Sequence, residues 1–185
     1  MAGVLLWVGG RGVAGTATAA AAAGIKASAV IAVPFLALAD RAQAARRVVA
    51  AVAAAAAVAA IGLIAFGTHA LDALSLINSN QDRTSRFSIP HEVAEVVGGS
   101  DVVRAAFAIA AVAIALWLLW RTWRGLIEPL DAIGWTTFAV LIASAWLVPW
   151  YILWLLPFAA LSRDRRLQLA TLALCAWMLA IAVPL

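Results

Sequence analysis

Charge and cysteine are both scarce in this chain of 185 residues: 12% of the residues are charged, and Cys175 carries the one thiol. A soluble domain averages about 25% charged and about 45–50% apolar residues, whereas here 66% are hydrophobic and the mean hydropathy is +1.01. A soluble chain this short could not cover that much apolar surface, because small domains leave much of themselves in water. Disorder is excluded too, since it requires low hydrophobicity and high net charge. One cysteine makes no internal disulfide and no cysteine metal site, and Cys175, inside an apolar run, reads as a small core residue. The sequence has no Walker A lysine, no H-E-x-x-H, no G-x-S-x-G and no Cys/His cluster, so those chemistries have no residues to rest on. No metal and no cofactor is expected. Internal repeats and long Gly/Ser or Pro-rich linkers are also missing. The composition is that of an integral membrane protein of one domain, residues 1–185.

The net charge is +4 and the sequence pI about 10.6. The basic residues stand in short clusters between apolar runs, which suits cytoplasmic membrane loops and not a groove for nucleic acid. A membrane-spanning helix needs about 20 apolar residues. The expected segments are 13–39, 48–68, 102–120, 132–148, 150–162 and 167–185, with an external loop over 69–101. Arg104 lies near the start of the third segment, where it can snorkel to the interface. The run from Ala132 to Ser162 carries no charge; as one helix it would be about 46 Å long, against a hydrocarbon core of ~30 Å. Arg121 and Arg124 precede it, and Arg163, Arg165 and Arg166 follow it. The positive-inside rule puts both flanks in the cytoplasm, so the run must turn back. Pro149 supplies the break, with limbs Ala132–Val148 and Trp150–Ser162 meeting on the outer side. Arg41, Arg46 and Arg47 mark another inner loop. Within the external loop, Pro90–Val97 reads as a short helix with Glu92 in its first turn and Gly98-Gly99 closing it.

Five features invite a chemical reading. Gly10-Arg11-Gly12-Val13-Ala14-Gly15 matches the dinucleotide fingerprint, but everything after Asp40 reads as membrane, so close helix packing is the preferred account. Lys26 interrupts an Ala-rich apolar stretch in which Pro34 also suggests a break. An ammonium at the bilayer centre costs at least about 2.5–3.5 kcal/mol, so Lys26 either snorkels or holds an anionic group such as a lipid phosphate. The external loop offers Asp72, Asp82, Arg83, Arg86, His91, Glu92 and Glu95, any of whose carboxylates could act as a base; Phe87, Ile89 and Pro90 would draw Arg86 and His91 to the membrane surface. Trp146, Trp150, Tyr151 and Trp154 crowd around Pro149, as interfacial aromatics or as surfaces for sugar rings. The helix restarting after Pro149 would present a partly positive end to an anion.

The string Val148-Pro149-Trp150-Tyr151-Ile152-Leu153-Trp154-Leu155-Leu156-Pro157 resembles the P-W-Y-x-x-W-x-x-P segment of actinobacterial polyprenol-phosphomannose-dependent mannosyltransferases, the family 87 and alpha-1,6-mannosyltransferase groups. Gly24-Ile25-Lys26 with Val33-Pro34-Phe35 is similar to their K…P-F segment, and Ser85-Arg86-Phe87-Ser88-Ile89-Pro90 to their outer-loop S-R-x-S-x-P pattern. The resemblance implies an all-α, multispanning GT-C-like fold with chemistry on the outer face. It also implies a polyprenol-phosphate sugar donor, a glycan or glycolipid acceptor of the cell envelope, and a multi-pass location in the cell membrane among membrane lipid. Such enzymes place their catalytic aspartate in a first external loop and have more helices. This chain is therefore expected to be the C-terminal half, as a fragment, a split gene or a late start, with a separate N-terminal half as a further partner. The substrate-binding candidates are Lys26, Arg86, His91, Trp150, Tyr151 and Trp154; no catalytic base is assigned. Two other readings stand beside this one: a small multispanning transporter, which would need a polar path, and a non-catalytic membrane scaffold.

Overall fold

The computed structural model describes residues 1–71 and 85–182. Among these all regular structure is helical, as the composition requires. The helices are α1 (Ala2–Val8), α2 (Gly12–Ile25), α3 (Ala32–Leu38), α4 (Ala44–Phe66), α5 (Ile89–Val97), α6 (Ser100–Trp123), α7 (Pro129–Ala143), α8 (Ile152–Leu161) and α9 (Arg165–Ala182). Short 3-10 turns precede α3 and α8 and follow α4. Three helical stretches, Ala44–His69, Ser100–Trp123 and Arg165–Ala182, are long and apolar enough to cross a membrane. The chain divides into two compact units, 1–75 with 119–133 and 76–118 with 134–185.

In the first unit, α1 and α2 form an antiparallel pair whose contact is made of glycines. A Cβ on Gly3 would lie 2.7 Å from the backbone of Gly15 and Ala19, and one on Gly15 would lie 2.6 Å from the Gly3 carbonyl. Gly12 leaves room for the guanidinium of Arg47, whose Nη2 would otherwise be 2.7 Å from a Cβ. Two of the three fingerprint glycines therefore serve helix packing, and the preceding Val4–Val8 is helix and not strand. The dinucleotide motif has no structural context here.

Residues 13–39, read from the sequence as a single apolar segment, fold back on themselves. α2 runs beside α4 in the same direction, with Gly12 against Arg47 at one end and Gly24 against Val58 further along. Leu36 returns to the starting end, where its carbonyl accepts from Trp7 Nε1 at 3.2 Å and from Arg47 Nη1 at 3.3 Å. The break falls at Lys26, in extended conformation (φ −143°, ψ 112°), and not at Pro34. Pro34 lies near the start of α3, which follows directly on the 3-10 turn Ala27–Ile31, and the helical stretch runs through it to Leu38. Arg47 is buried beneath this fold, 3.5 Å from Asp40 and with its Cζ 5.8 Å from the Trp7 ring centroid. Arg41 caps the end of α6: its Nε donates to the Trp123 carbonyl at 2.8 Å. The basic clusters at 41–47 and 121–124, assigned to one side by charge alone, thus meet at one end of this unit.

The second unit is built on the hairpin of α7 and α8. Trp135 Nε1 donates to Asp164 Oδ2 at 2.8 Å, which ties the start of the uncharged run to its end. Gly134 lets Leu167 and Phe158 approach, since a Cβ there would lie 2.5 Å from Leu167 Cδ2. Leu141, Leu147, Leu155, Leu167, Leu174 and Met178 form the core, with Phe87 from the segment before α5 inserted among them. The turn is broader than a kink at one proline. α7 stops at Ala143, residues 144–148 are irregular, and Pro149 opens the 3-10 turn Pro149–Tyr151 that leads into α8. Val148 is extended (φ −127°, ψ 148°), as the residue before a proline should be. With 15 residues, α7 is about 22 Å long, so neither limb alone spans a ~30 Å core.

Candidate functional site

The hairpin apex is a stretch of backbone outside any helix, and its carbonyls need partners wherever water is scarce. The Ser85–Pro90 segment supplies them. The Ser85 N–H donates to the Ala145 carbonyl at 3.1 Å. The Ser85 hydroxyl accepts from the Leu147 N–H at 3.1 Å and donates to the carbonyl of the same residue. The Ser88 hydroxyl donates to the Ser144 carbonyl at 3.0 Å, and Ser144 Oγ donates to the Trp146 carbonyl at 3.0 Å. Ser88 also caps α5, accepting from the His91 N–H at 3.3 Å. On the far side Trp177 Nε1, from α9, donates to the Phe87 carbonyl at 3.3 Å. Two motifs about sixty positions apart in sequence thus form a single hydrogen-bonded seam, with Ser88 and Phe87 buried inside it.

Around this seam stand five of the six sequence-derived candidates. Arg86 is exposed, with its Cζ 5.1 Å from the centroid of the Phe87 ring. His91 is half-buried in the first turn of α5, its Nε2 3.6 Å from Glu95 Oε1. Tyr151 and Trp154 stack, with centroids 4.2 Å apart and planes inclined by 25°; both pack against the core. Trp150 points away, 62% exposed. The sixth candidate, Lys26, belongs to the first unit, exposed at the break between α2 and α3. Glu92 is exposed in the first turn of α5. Asp72, Asp82 and Arg83 lie outside the described residues.

The helix end expected to face an anion after Pro149 is partly satisfied internally. The Tyr151 N–H bonds back to the Val148 carbonyl at 2.9 Å, and proline has no N–H. The structure also brings forward Arg104, which the sequence offered only as a snorkelling side chain. With Ser88, Pro90, His91, Ala94, Ser100 and Ala145 it lines a small pocket next to the seam. Its signal was available in the spacing, because Arg104, Phe107, Ala111 and Ile114 form one stripe of α6. At the opposite end of the hairpin, the hydrogen bond from Trp135 holds the Asp164 carboxyl below its ordinary value, against a smaller opposing effect of burial and with help from the Arg166 and Leu167 amides. That carboxylate caps α9, accepting from the Arg166 N–H at 2.8 Å.

Chemically, the seam presents hydroxyls already committed to backbone, a stacked aromatic pair and cationic side chains. It suits holding a sugar and an anion better than supplying a nucleophile. Residues 95–185 match the family of the MptB C-terminal domain. No curated protein and no solved structure matches the chain.

Proposed function

We propose, for a chain whose residues 95–185 carry the C-terminal domain of a mannosyltransferase family, that it contributes the donor-side wall of a membrane mannosyltransferase. In this reading mannose passes from a polyprenol-phosphate donor to a glycan or glycolipid of the cell envelope on the outer face. The bond from the anomeric carbon to the phosphate oxygen breaks, the acceptor hydroxyl oxygen bonds to that carbon, and the phosphate leaves with the lipid. The acceptor proton goes to a base that these residues do not identify. Arg86 and His91 are assigned to the phosphate, because charge-assisted contacts are the strong ones; Lys26, in the other unit, is assigned separately as an anion contact. Trp150, Tyr151 and Trp154 are assigned to the sugars.

The observation that carries this reading is the seam itself. Ser85 and Ser88 lie outside the matched residues, yet their hydroxyls hold the non-helical apex of the matched domain. Irregular backbone at membrane depth is tolerated where protein covers it or where it lines a cavity. Because the match is to a C-terminal domain, the remaining catalytic groups are assigned to an N-terminal half, on the same polypeptide or a second one.

The test is turnover of polyprenol-phosphomannose with a mannoside acceptor, using the chain together with that N-terminal half in membranes. Tyr151→Ala is expected to lower turnover by about tenfold, the size of one lost aromatic contact. Unchanged turnover in Tyr151→Ala and in Arg86→Ala would reduce the chain to a scaffold. Transport of a solute across vesicles containing the chain alone would replace the reading altogether.

A further inference from the structure

Because α2 and α4 run side by side in the same direction, their starts lie together at one end of the first unit, with Gly12 opening α2 and Ala44 opening α4. The N–H groups of a helix's first turn have no intrahelical partner and carry partial positive charge. An acidic side chain often answers them: α5, α6 and α7 have Glu92, Asp101 and Asp131 in their first turns. α2 and α4 have no acid in the first turn and no side-chain cap. They carry arginines instead, Arg11 directly before α2, and Arg46 and Arg47 at the start of α4; Arg11 and Arg46 are exposed. Positive charge at a helix start is unfavourable, and here two adjacent starts share it. Arg47 supplies an independent observation. The residue is 7% exposed, and its guanidinium lies against Gly12, with Nε 2.9 Å from where a Cβ would stand. Nη1 bonds the Leu36 carbonyl and Nη2 faces Asp40, but Nε is buried with no hydrogen-bond partner among the described residues. A buried donor left unpaired is costly.

An anion over the first turn of α2 answers both observations at once: its oxygens accept from the N–H groups of that turn and from the buried guanidinium beside it. We infer that the paired starts of α2 and α4 hold the phosphate of an anionic phospholipid. Asp40 offsets only one of the three arginines, so the site keeps a positive excess. Next to it the first unit exposes apolar side chains, Leu5 and Val8 on α1 and Val48, Val49 and Val52 on α4. The acyl chains lie along that flank. A free phosphate would gain nothing from these side chains, and a zwitterionic lipid would gain little from the excess charge. The charge clusters assign this end to the cytoplasmic leaflet, where such lipids and basic residues meet. The site is at the opposite end of α2 from Lys26. It takes no part in the transfer of mannose, and the inference stands apart from that reading.

The experiment is photolabelling of the full chain in phosphatidylcholine nanodiscs that contain a small share of phosphatidylglycerol with a diazirine on its headgroup. Labelling is expected on 8–15 and 40–49. Unlabelled phosphatidylglycerol should remove it, whereas inorganic phosphate should not. Arg11→Gln and Arg46→Gln, both at exposed positions, are each expected to lower labelling about fivefold, the effect of one basic residue at an anionic lipid. Arg11→Lys and Arg46→Lys should recover most of it. Arg163→Gln, equally exposed but in the second unit, should leave it unchanged. An equal fall in Arg163→Gln would show a general attraction between basic loops and an anionic surface, and would overturn the inference. Removal of the label by inorganic phosphate would reassign the site to a free anion and overturn it as well. Equal labelling by a phosphatidylcholine that carries the same diazirine would show an ordinary lipid coat, with the same consequence. Labelling confined to other residues, or unchanged in both arginine variants, would refute the site while leaving the mannosyltransferase reading untouched.

Discussion

Ser85, Ser88 and Asp164 carry more of this fold than their size suggests, because each satisfies backbone or indole groups of another segment. Ser88→Ala removes a helix cap and a carbonyl partner together, and an N-cap alone is worth about 0.5–2 kcal/mol. Thermal unfolding in detergent should show Ser88→Ala less stable than wild type, with Ser88→Thr close to wild type. Asp164 differs in that its effect depends on pH. Its folded-state value lies below the ordinary 3.8, so the carboxylate stabilises the folded chain. That contribution is complete above the unfolded-state value and is lost as pH falls through the folded one. The melting-temperature gap between wild type and Asp164→Asn should therefore be constant near neutrality and close in acid below the folded value; a gap independent of pH would mean that the charge is idle. For Lys26, at the exposed break between α2 and α3, the expected result is weaker donor binding in Lys26→Ala, by about 10- to 100-fold. Lys26→Arg should recover part of the loss. A lysine that merely snorkels would leave affinity unchanged.

At the scale of elements, both units contain an apolar hairpin of two short limbs, one turning at Lys26 and the other at residues 144–151. The sequence displays these turns only as interruptions, a charge in one case and a proline in the other. Where each helix actually stops was set by partners elsewhere in the chain. α7 ends at Ala143, short of Pro149, and Ser85 and Ser88 bond the Leu147 and Ser144 carbonyls left beyond the helix. Helix α5, by contrast, was legible almost to the residue: Ser88, Pro90, Glu92 and Gly98 are local signals, and the helix runs Ile89–Val97. The glycines follow a similar division. Gly15→Ala should separate α1 from α2 at a cost of about 1–3 kcal/mol, since its Cβ would meet backbone that cannot move aside. Gly134→Ala should cost less, because the nearest atom is the end of the Leu167 side chain. A comparison of the two melting temperatures checks the order.

For the molecule as a whole, the topology rests on charge, and the structure adds which ends meet. In a Cys175→Ala background, Glu92→Cys should react with an impermeant thiol reagent applied from outside, and Arg163→Cys should not. Reaction at both would undo the assignment of α5 and the hairpin apex to the outer side. Sequence by itself determined that the chain is all-α, that it is apolar enough for a membrane, and that its uncharged run must return. These properties follow from composition and from charge clusters, which are local. Sequence also offered three separate motifs, around Lys26, Ser85 and Pro149, without a way to join them. Tertiary structure decided that the second and third join in one hydrogen-bonded seam and that the first lies in another unit. It also placed Arg104 beside the seam, in a small pocket with Ser88 and His91. The reason is that hydrogen bonds between Ser85, Ser88 and the apex carbonyls span about sixty positions of chain, and no periodicity or spacing rule reaches that far.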